Sequence, residues 1–494
     1  MSHVHRGPTP PAGKLSGPRS AARGARALAA LTLGLLAGCA GSRVDDGPVI
    51  LGDAWRGVRA PQQARQPEPA SEPASQQPSV WTLDAVLARI AAANPTIGVA
   101  RARLEEAEAA RREARAAYWP ELSLGLEYLN TDNPAQAFAV LLNQRALTLG
   151  PGFDADPGAT DNWRKEVRLD WPLLAPGRDA QHQAAREGEE VARLMGESAH
   201  NRLLNAGVQG WLGLGAAREL ELVARESIAV VEQRLAQTAR RHAEGAALRA
   251  DVLRLEVRLA GARQGAARAA LTVREAESAL NRLMGRAPDA PLELADEAFE
   301  VGPALPGTLD ALLEAARAER RDLQATVHRV RLAGFERERS RAGNYPRLQL
   351  FAAYDIDGPD LSIDEDLDSY TVGVGLRLPL SARTEAGVRR AGAQERAARE
   401  ELRELSLAIA QEVHDAWEAL ATARETLALS ETAVGAAEEA FRIVAEAQDA
   451  GAATVTDVLE AEDARRGARV RDVAARAALQ IARARLVAAT GGIR

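Results

Sequence analysis

Residues 118–128 read YWPELSLGLEY and residues 344–354 read NYPRLQLFAAY, the same pattern in the same register. Working outward, further pairs appear. TLDAVLARIAAANP from Thr82 matches TLDALLEAARAERR from Thr308, GAALRADVL at 245–253 matches GAATVTDVL at 451–459, and Trp211 falls on Trp417. Self-similarity of this length is the signature of a duplicated architecture. The chain divides into a first repeat at 82–290, a connector at 291–306 and a second repeat at 307–494. The offset between copies shrinks after the first strand, because the following loop is longer in the first copy.

Each repeat has one plan: two short helical stretches, a strand, a loop, a second strand, and a long helical hairpin. The strands are predicted at about 119–129, 163–174, 345–355 and 369–380 by their period of two. Leu122, Leu124, Leu126 and Tyr128 oppose Glu121, Ser123, Gly125 and Glu127. Val167, Leu169, Trp171 and Leu173 oppose Glu166, Arg168 and Asp170. In the fourth, Tyr370, Val372, Val374, Leu376 and Leu378 oppose Thr371, Gly373, Gly375 and Arg377. Phe351 blurs the third, where Leu348, Leu350, Ala352 and Tyr354 form one face. Pro120 and Pro346 open strands while Pro172 and Pro379 close them, and proline cannot donate to a ladder, so the four mark one rim. Such strands suit a half-buried soluble sheet or a tilted transmembrane barrel strand. Four cannot close a barrel, and open edges leave backbone groups unsatisfied in lipid. If they cross a membrane, several chains share one barrel.

Thr384 to Ala450 contains no proline and little glycine, which predicts about 100 Å of helix. Val413, Leu420, Leu427, Val434 and Phe441 recur every seven residues, and Ala416, Ala423, Ser430, Ala437 and Val444 follow three later. That is a heptad seam of large residues against small ones. The first repeat keeps it in part, with Leu214, Ile228 and Leu235 interrupted by Glu221. The hairpins are expected to turn near 245–251 and 451–457.

Cys39 is the only cysteine among 494 residues. It follows Lys14, Arg19, Arg23 and Arg26 and an apolar run from Ala27 to Gly38, too short to span a bilayer. Leu36-Ala37-Gly38-Cys39 resembles the bacterial lipobox, which implies a signal peptide at 1–38, cleavage before Cys39 and lipid on its sulfur. Ala40 stands where an aspartate would retain such a lipoprotein at the inner membrane, so the resemblance implies the outer membrane of a Gram-negative bacterium. Residues 39–80, rich in Pro, Gln and Ser, read as an extended tether.

Net charge is −7 with basic residues dispersed, so there is no nucleic-acid footprint. Aromatics are only 4%, few for a compact core of this size. No remaining histidine pair has zinc-ligand spacing, and no nucleophile motif or phosphate loop is present. No cofactor, no metal and no catalysis are expected. The acidic stretch DIDGPDLSIDEDLDS at 355–369 lacks the glycine placement of a calcium loop and reads as a solvated loop between the third and fourth strands.

Duplicated plan, proline-bounded strands and the tip motif Gly451-Ala452-Ala453-Thr454-Val455-Thr456-Asp457-Val458-Leu459-Glu460-Ala461 together resemble the TolC-like outer-membrane efflux family. The resemblance is in particular to its lipidated branch serving resistance-nodulation-division pumps. The likeness covers about 82–494. It implies a mainly α chain with membrane β: a homotrimer with a shared 12-stranded β-barrel and a periplasmic α-barrel of long hairpins. It also implies a periplasmic adaptor docking at the tips, through Gly245, Ala246, Gly451 and Ala452, and an inner-membrane transporter. Asp457 and Glu460 match the family's acidic ring at the constriction and Asp251 a gate carboxylate; capping and helix-dipole roles stay open for these residues. The family's gate tyrosine and arginine fall at Gln448 and Ala453, so closure is expected through other contacts, such as packing of Val455 or Leu248. The function implied is a passive exit duct of a tripartite efflux pump. A type I protein-secretion duct and a lipid-anchored periplasmic coiled-coil scaffold are the alternatives.

Overall fold

A computed structural model describes residues 80–147, 157–295, 307–379 and 382–492. Cys39 and its tether lie outside the described residues, as does most of the connector.

Both copies begin with a short capped helix. In α1 (Leu83–Ala93) the Thr82 hydroxyl accepts from Ala85 N at 3.2 Å, and in α6 (Leu309–Glu319) Thr308 accepts from Ala311 N at 3.4 Å. The repeated Thr-Leu-Asp-Ala is thus a repeated helix start. Asn94 then caps α2 (Pro95–Ala116), whose first residue is proline, where a missing N–H costs nothing. The counterpart is α7 (Arg321–Ala342).

Next come the strands: β1 (Glu121–Thr131), β2 (Thr160–Leu174), β3 (Arg347–Gly358) and β4 (Asp368–Arg377). They form one antiparallel meander in the order β1-β2-β3-β4. The strands run a few residues further toward the loops than alternation predicts, because ladder pairing continues past the apolar residues. Asp355 to Gly358 therefore belong to β3, and the acidic loop is shorter than 355–369. Pro120 and Pro346 immediately precede their strands, and Pro379 lies past the end of β4. Pro172 lies inside β2, where the register shifts between Pro172 and Leu174. A residue without an N–H is accommodated there by breaking the ladder locally. Phe351 faces the polar side because its partner across the ladder is Gly373; a Cβ there would lie 2.3 Å from the ring.

The β1–β2 connection, expected as a loop, holds a helix, α3 (Pro134–Asn143). Its start signal was present: Asn133 Oδ1 accepts from Ala135 N at 3.1 Å, and Pro134 is the first helical residue.

Two long hairpins complete the chain: α4 (Arg178–Ala243) with α5 (Arg249–Leu283), and α8 (Ala382–Asp449) with α9 (Val455–Ala489). Val413, Leu420, Ala416 and Ala423 of the predicted seam are buried against Leu479, Ala482 and Leu486 of α9 and Leu312 and Ala316 of α6. Trp211 and Leu214 pack on Trp81, Val86, Ile90 and Leu280 in the matching cluster. Near the strands the helices lie side by side as α2, α4, α7, α8; near the tips the order is α5, α4, α9, α8. Asn94 Nδ2 donates to Leu283 O at 2.8 Å, which stacks the foot of α2 on the head of α5.

Among the described residues no single helix is long and apolar enough to cross a membrane. The bent pair α1 and α2 meets that test by length and composition alone, with Val86 and Ile90 of α1 in the helical core.

Candidate functional site

Two parts of the molecule carry chemistry: the sheet and the hairpin tips. Register puts Leu122, Leu124, Leu126 and Tyr128 of β1 on one face with Val167, Leu169 and Trp171 of β2. The same face continues through Leu350, Ala352 and Tyr354 of β3 to Tyr370, Val372, Val374 and Leu376 of β4. It is open: Tyr370 is 80% exposed, Val372 66% and Leu126 62%. An exposed apolar face of this extent needs a non-aqueous neighbour. Aromatics flank it, with Trp119, Trp171 and Tyr345 at the helix end and Tyr128, Trp163, Tyr354 and Tyr370 at the loop end. The 11 residues of β1, tilted about 40°, span about 25 Å, the height of the apolar band of an outer-membrane barrel. At the loop end Tyr128 donates to Asp161 Oδ1 at 2.7 Å and Tyr354 to Asp368 Oδ2 at 3.0 Å, so the rings end in polar contacts. Lys165, on the same face, bends toward the loop and donates to the carbonyls of Asp360 (2.9 Å) and Ser362 (2.7 Å).

The opposite face carries Arg164, Glu166, Arg168, Asp170, Asp355 and Asp357. These are knitted by Arg168 to Asp170 at 2.7 Å, Arg164 to Asp357 at 3.2 Å and Gln349 to Asp170 at 2.8 Å. A charged, solvent-facing surface backs the apolar one. β1 and β4 each have one unpaired edge.

At the tips, Gly245 has φ 77° and Gly451 φ 80°, the left-handed conformation that ends a helix without a Cβ clash. The turns match bond for bond: Ala246 N donates to Arg241 O at 2.7 Å and Ala452 N to Ala447 O at 2.8 Å. The helices that follow differ. Thr454 and Asp457 form a capping box, the carboxylate accepting from Thr454 N at 2.7 Å and the hydroxyl from Asp457 N at 3.2 Å. These bonds hold the Asp457 carboxyl below the usual carboxylate range. In the first tip Leu248 holds the cap position with no side-chain bond, and Asp251 pairs instead with Arg254 at 3.0 Å. Glu460 is exposed, one turn beyond Asp457. Asp457 thus caps the second tip's helix.

Leu248 is 70% exposed, and Val455 is half-buried. Different residues tie the two hairpins together. Arg234 of α4 reaches Gln448 Oε1 at 3.3 Å and Asp449 Oδ1 at 3.4 Å, and Arg241, two turns on, reaches Gln448 O at 3.4 Å. Arg258 pairs with Asp463, and Arg469 with Glu226 at 2.8 Å. Buried Glu462 pairs with Arg465 at 2.6 Å, and Arg465 lies 4.0 Å over the Phe441 ring. Burial pushes the Glu462 carboxyl up. The ties between hairpins join arginines to acids more than 200 positions away, beyond the reach of any local pattern, whereas Glu462, Arg465 and Phe441 meet within the second hairpin.

The sequence profile of the family described as "Outer membrane efflux protein" matches residues 86–286 and again 312–492, one match per repeat. The alkaline protease secretion protein AprF of Pseudomonas aeruginosa is 28% identical over 207 residues, 40% of this chain and 42% of that protein, so the match spans about two fifths of the relative's length. A membrane protein from Pseudomonas aeruginosa superposes with a TM-score of 0.73 at 20% identity, over 86% of this chain and 99% of that one. The outer membrane protein VceC of Vibrio cholerae gives 0.71 at 19%, over 83% and 96%. With both repeats matched, the chain belongs to the outer membrane efflux protein family.

Proposed function

We propose that three copies of this chain form a passive exit duct through the outer membrane for a tripartite efflux pump. The observation that carries this is the sheet: an open apolar face backed by a charged one, with unpaired edges at β1 and β4. In hydrocarbon those edges must be satisfied, and β4 of one copy pairing with β1 of the next closes a 12-stranded barrel.

The helices support the same join. In both layers α8 is one free flank, and the other is the stacked line of α5 and α2. Exposed apolar residues on the two flanks match in height. Leu429 stands 20 residues from the tip end of α8 and Leu271 22 residues from the tip end of α5; Ile443 stands 6 and Val257 8. Above them Leu407 on α8 meets the level of Val99 on α2. Three identical joins close a ring.

In this assembly the tips point into the periplasm. Asp457 and Glu460 place six carboxylates around the narrow end, a ring that favours cations. Gly245, Ala246, Gly451 and Ala452 offer the turns to a periplasmic adaptor, and an inner-membrane transporter of the resistance-nodulation-division type supplies energy. Lipid on Cys39 adds a second anchor. The test is heat-modifiable migration of a trimer and conductance in planar bilayers; a detergent-independent monomer without conductance rules the duct out. The likeness to AprF favours a second reading, a duct for type I protein secretion. Co-purification with a resistance-nodulation-division transporter rather than an ATP-driven one decides between them.

A further inference from the structure

The helix α3 has no counterpart in the second repeat, where the corresponding loop holds a 3-10 turn at Glu365–Leu367. Its position relative to the sheet is set by its buried side. Ala137 and Val140 are buried, and Thr131 Oγ1 donates to Gln136 Oε1 at 2.9 Å. Gln144, just past the helix, donates to Asp161 O at 2.7 Å and Asn162 Oδ1 at 3.0 Å; Asn162 donates to Asp357, which also holds Arg164 at 3.2 Å. Asn162, Arg164 and Asp357 share the face of Glu166 and Asp355, the charged one. That face is open along most of its length, yet Asn162 is 3% and Asp357 2% exposed. The helix therefore folds over the side of the sheet opposite the apolar face. In a barrel that side is the pore.

A 12-stranded barrel with strands 4.8 Å apart and tilted about 40° is about 24 Å across at its backbone. Three α-helices with side chains, each about 10 Å thick, fill about half of that cross-section. On the side of α3 away from the sheet stand Ala135, Ala139 and Leu142, with Leu142 59% exposed.

The geometry points to a second constriction at the outer mouth, resting on the duct reading: three copies of α3, tied down by Gln144, Asn162 and Asp357, narrow the exit to an uncharged ring of Ala139 and Leu142. This ring sets the size of solute that passes, and it excludes bulky solutes from outside independently of the acidic tips. It differs from the tips in chemistry, being neutral where they are charged, so it discriminates by width alone.

The test uses the full-length trimer. With Leu142→Cys, a short bismaleimide is expected to link subunits, whereas Leu124→Cys on the lipid-facing side gives no link. In a background opened at the tips by Arg234→Ala and Arg241→Ala, replacing 134–143 with a short Gly-Ser turn is expected to raise single-channel conductance at least twofold. Because that deletion strains the fold, Gln144→Ala with Asn162→Ala, which unties the helix without removing it, runs beside it and is expected to raise conductance in the same direction. Absence of cross-linking at 142, or conductance unchanged in both α3 variants while channels still form, overturns the outer constriction. Absence of trimer and of channels in every variant overturns the duct itself.

Discussion

The tips GAALRAD at 245–251 and GAATVTD at 451–457 are two versions of one turn, and they have diverged in a specific way. Backbone is shared: a left-handed glycine, then an alanine N–H returned to a carbonyl five residues back. Side chains are not. The second tip has a reciprocal cap, while the first spends the equivalent aspartate on Arg254, which stands where the second has Glu460. Charge follows. The first tip adds Arg240, Arg241 and Arg249, the second Glu446 and Asp449, and Arg234 and Arg241 bridge from one to the other. Duplication kept the turn, which any helical hairpin needs, and let the two arms become complementary. That complementarity bridges them at the tips, while Val208 and Leu212 of α4 pack on Ala484 of α9 at the other end.

Breaking that bridge has the largest expected effect. Arg234→Ala with Arg241→Ala removes the contacts to Gln448 and Asp449, and conductance of the resting channel is expected to rise several-fold; an unchanged value removes these arginines from closure. Asp457→Ala with Glu460→Ala tests whether the acidic arm faces the pore. Cation preference is expected to fall, read as a shift of the reversal potential toward zero in a salt gradient. If the reversal potential stays put, both carboxylates face away from the permeation path.

Caps sharpen the comparison at smaller scale. Thr454→Val is expected to cost about 1 kcal/mol locally, seen as roughly fivefold faster hydrogen exchange over residues 452–458. Leu248→Thr is expected to slow exchange at 246–252 by a similar factor, provided Asp251 leaves Arg254 to complete the box. Failure there means the first tip prefers its ion pair. The smallest effect is with pH. Hydrogen bonds lower the Asp457 carboxyl below its ordinary value of 3.8, so its contribution is full above that value and is lost as pH falls through the lowered one. Glu462 has the opposite sign: burial raises it above 4.5, so its site weakens as pH rises from the ordinary value through the raised one. Exchange at the second tip, corrected for intrinsic rate, is expected to increase below about pH 4; equal behaviour in Asp457→Asn assigns the change elsewhere.

Much of the fold was legible because its signals are local. Alternation at Leu122 to Tyr128, the heptads from Val413, and the repeated Thr-Leu-Asp-Ala at 82 and 308 each lie within one element. The strand at 160–174 was underestimated because Thr160 to Asn162 pair without an apolar pattern. At the sites, Gly245 and Gly451 were found from the turn motif, whereas the Asp457 cap was legible only as one of two roles. Helix α3 was missed although Asn133-Pro134 announces it, since a longer loop accounted for the same residues.

Sequence by itself determined the duplication, the four strands, the long hairpins and the family, because period and motif are properties of neighbouring residues. Tertiary structure alone decided that Arg234 meets Asp449, that Phe351 lies over Gly373, and that α3 folds onto the charged face. Those contacts join residues remote in the chain, and their energy depends on the register of the sheet and the order of the helices, which no single segment encodes.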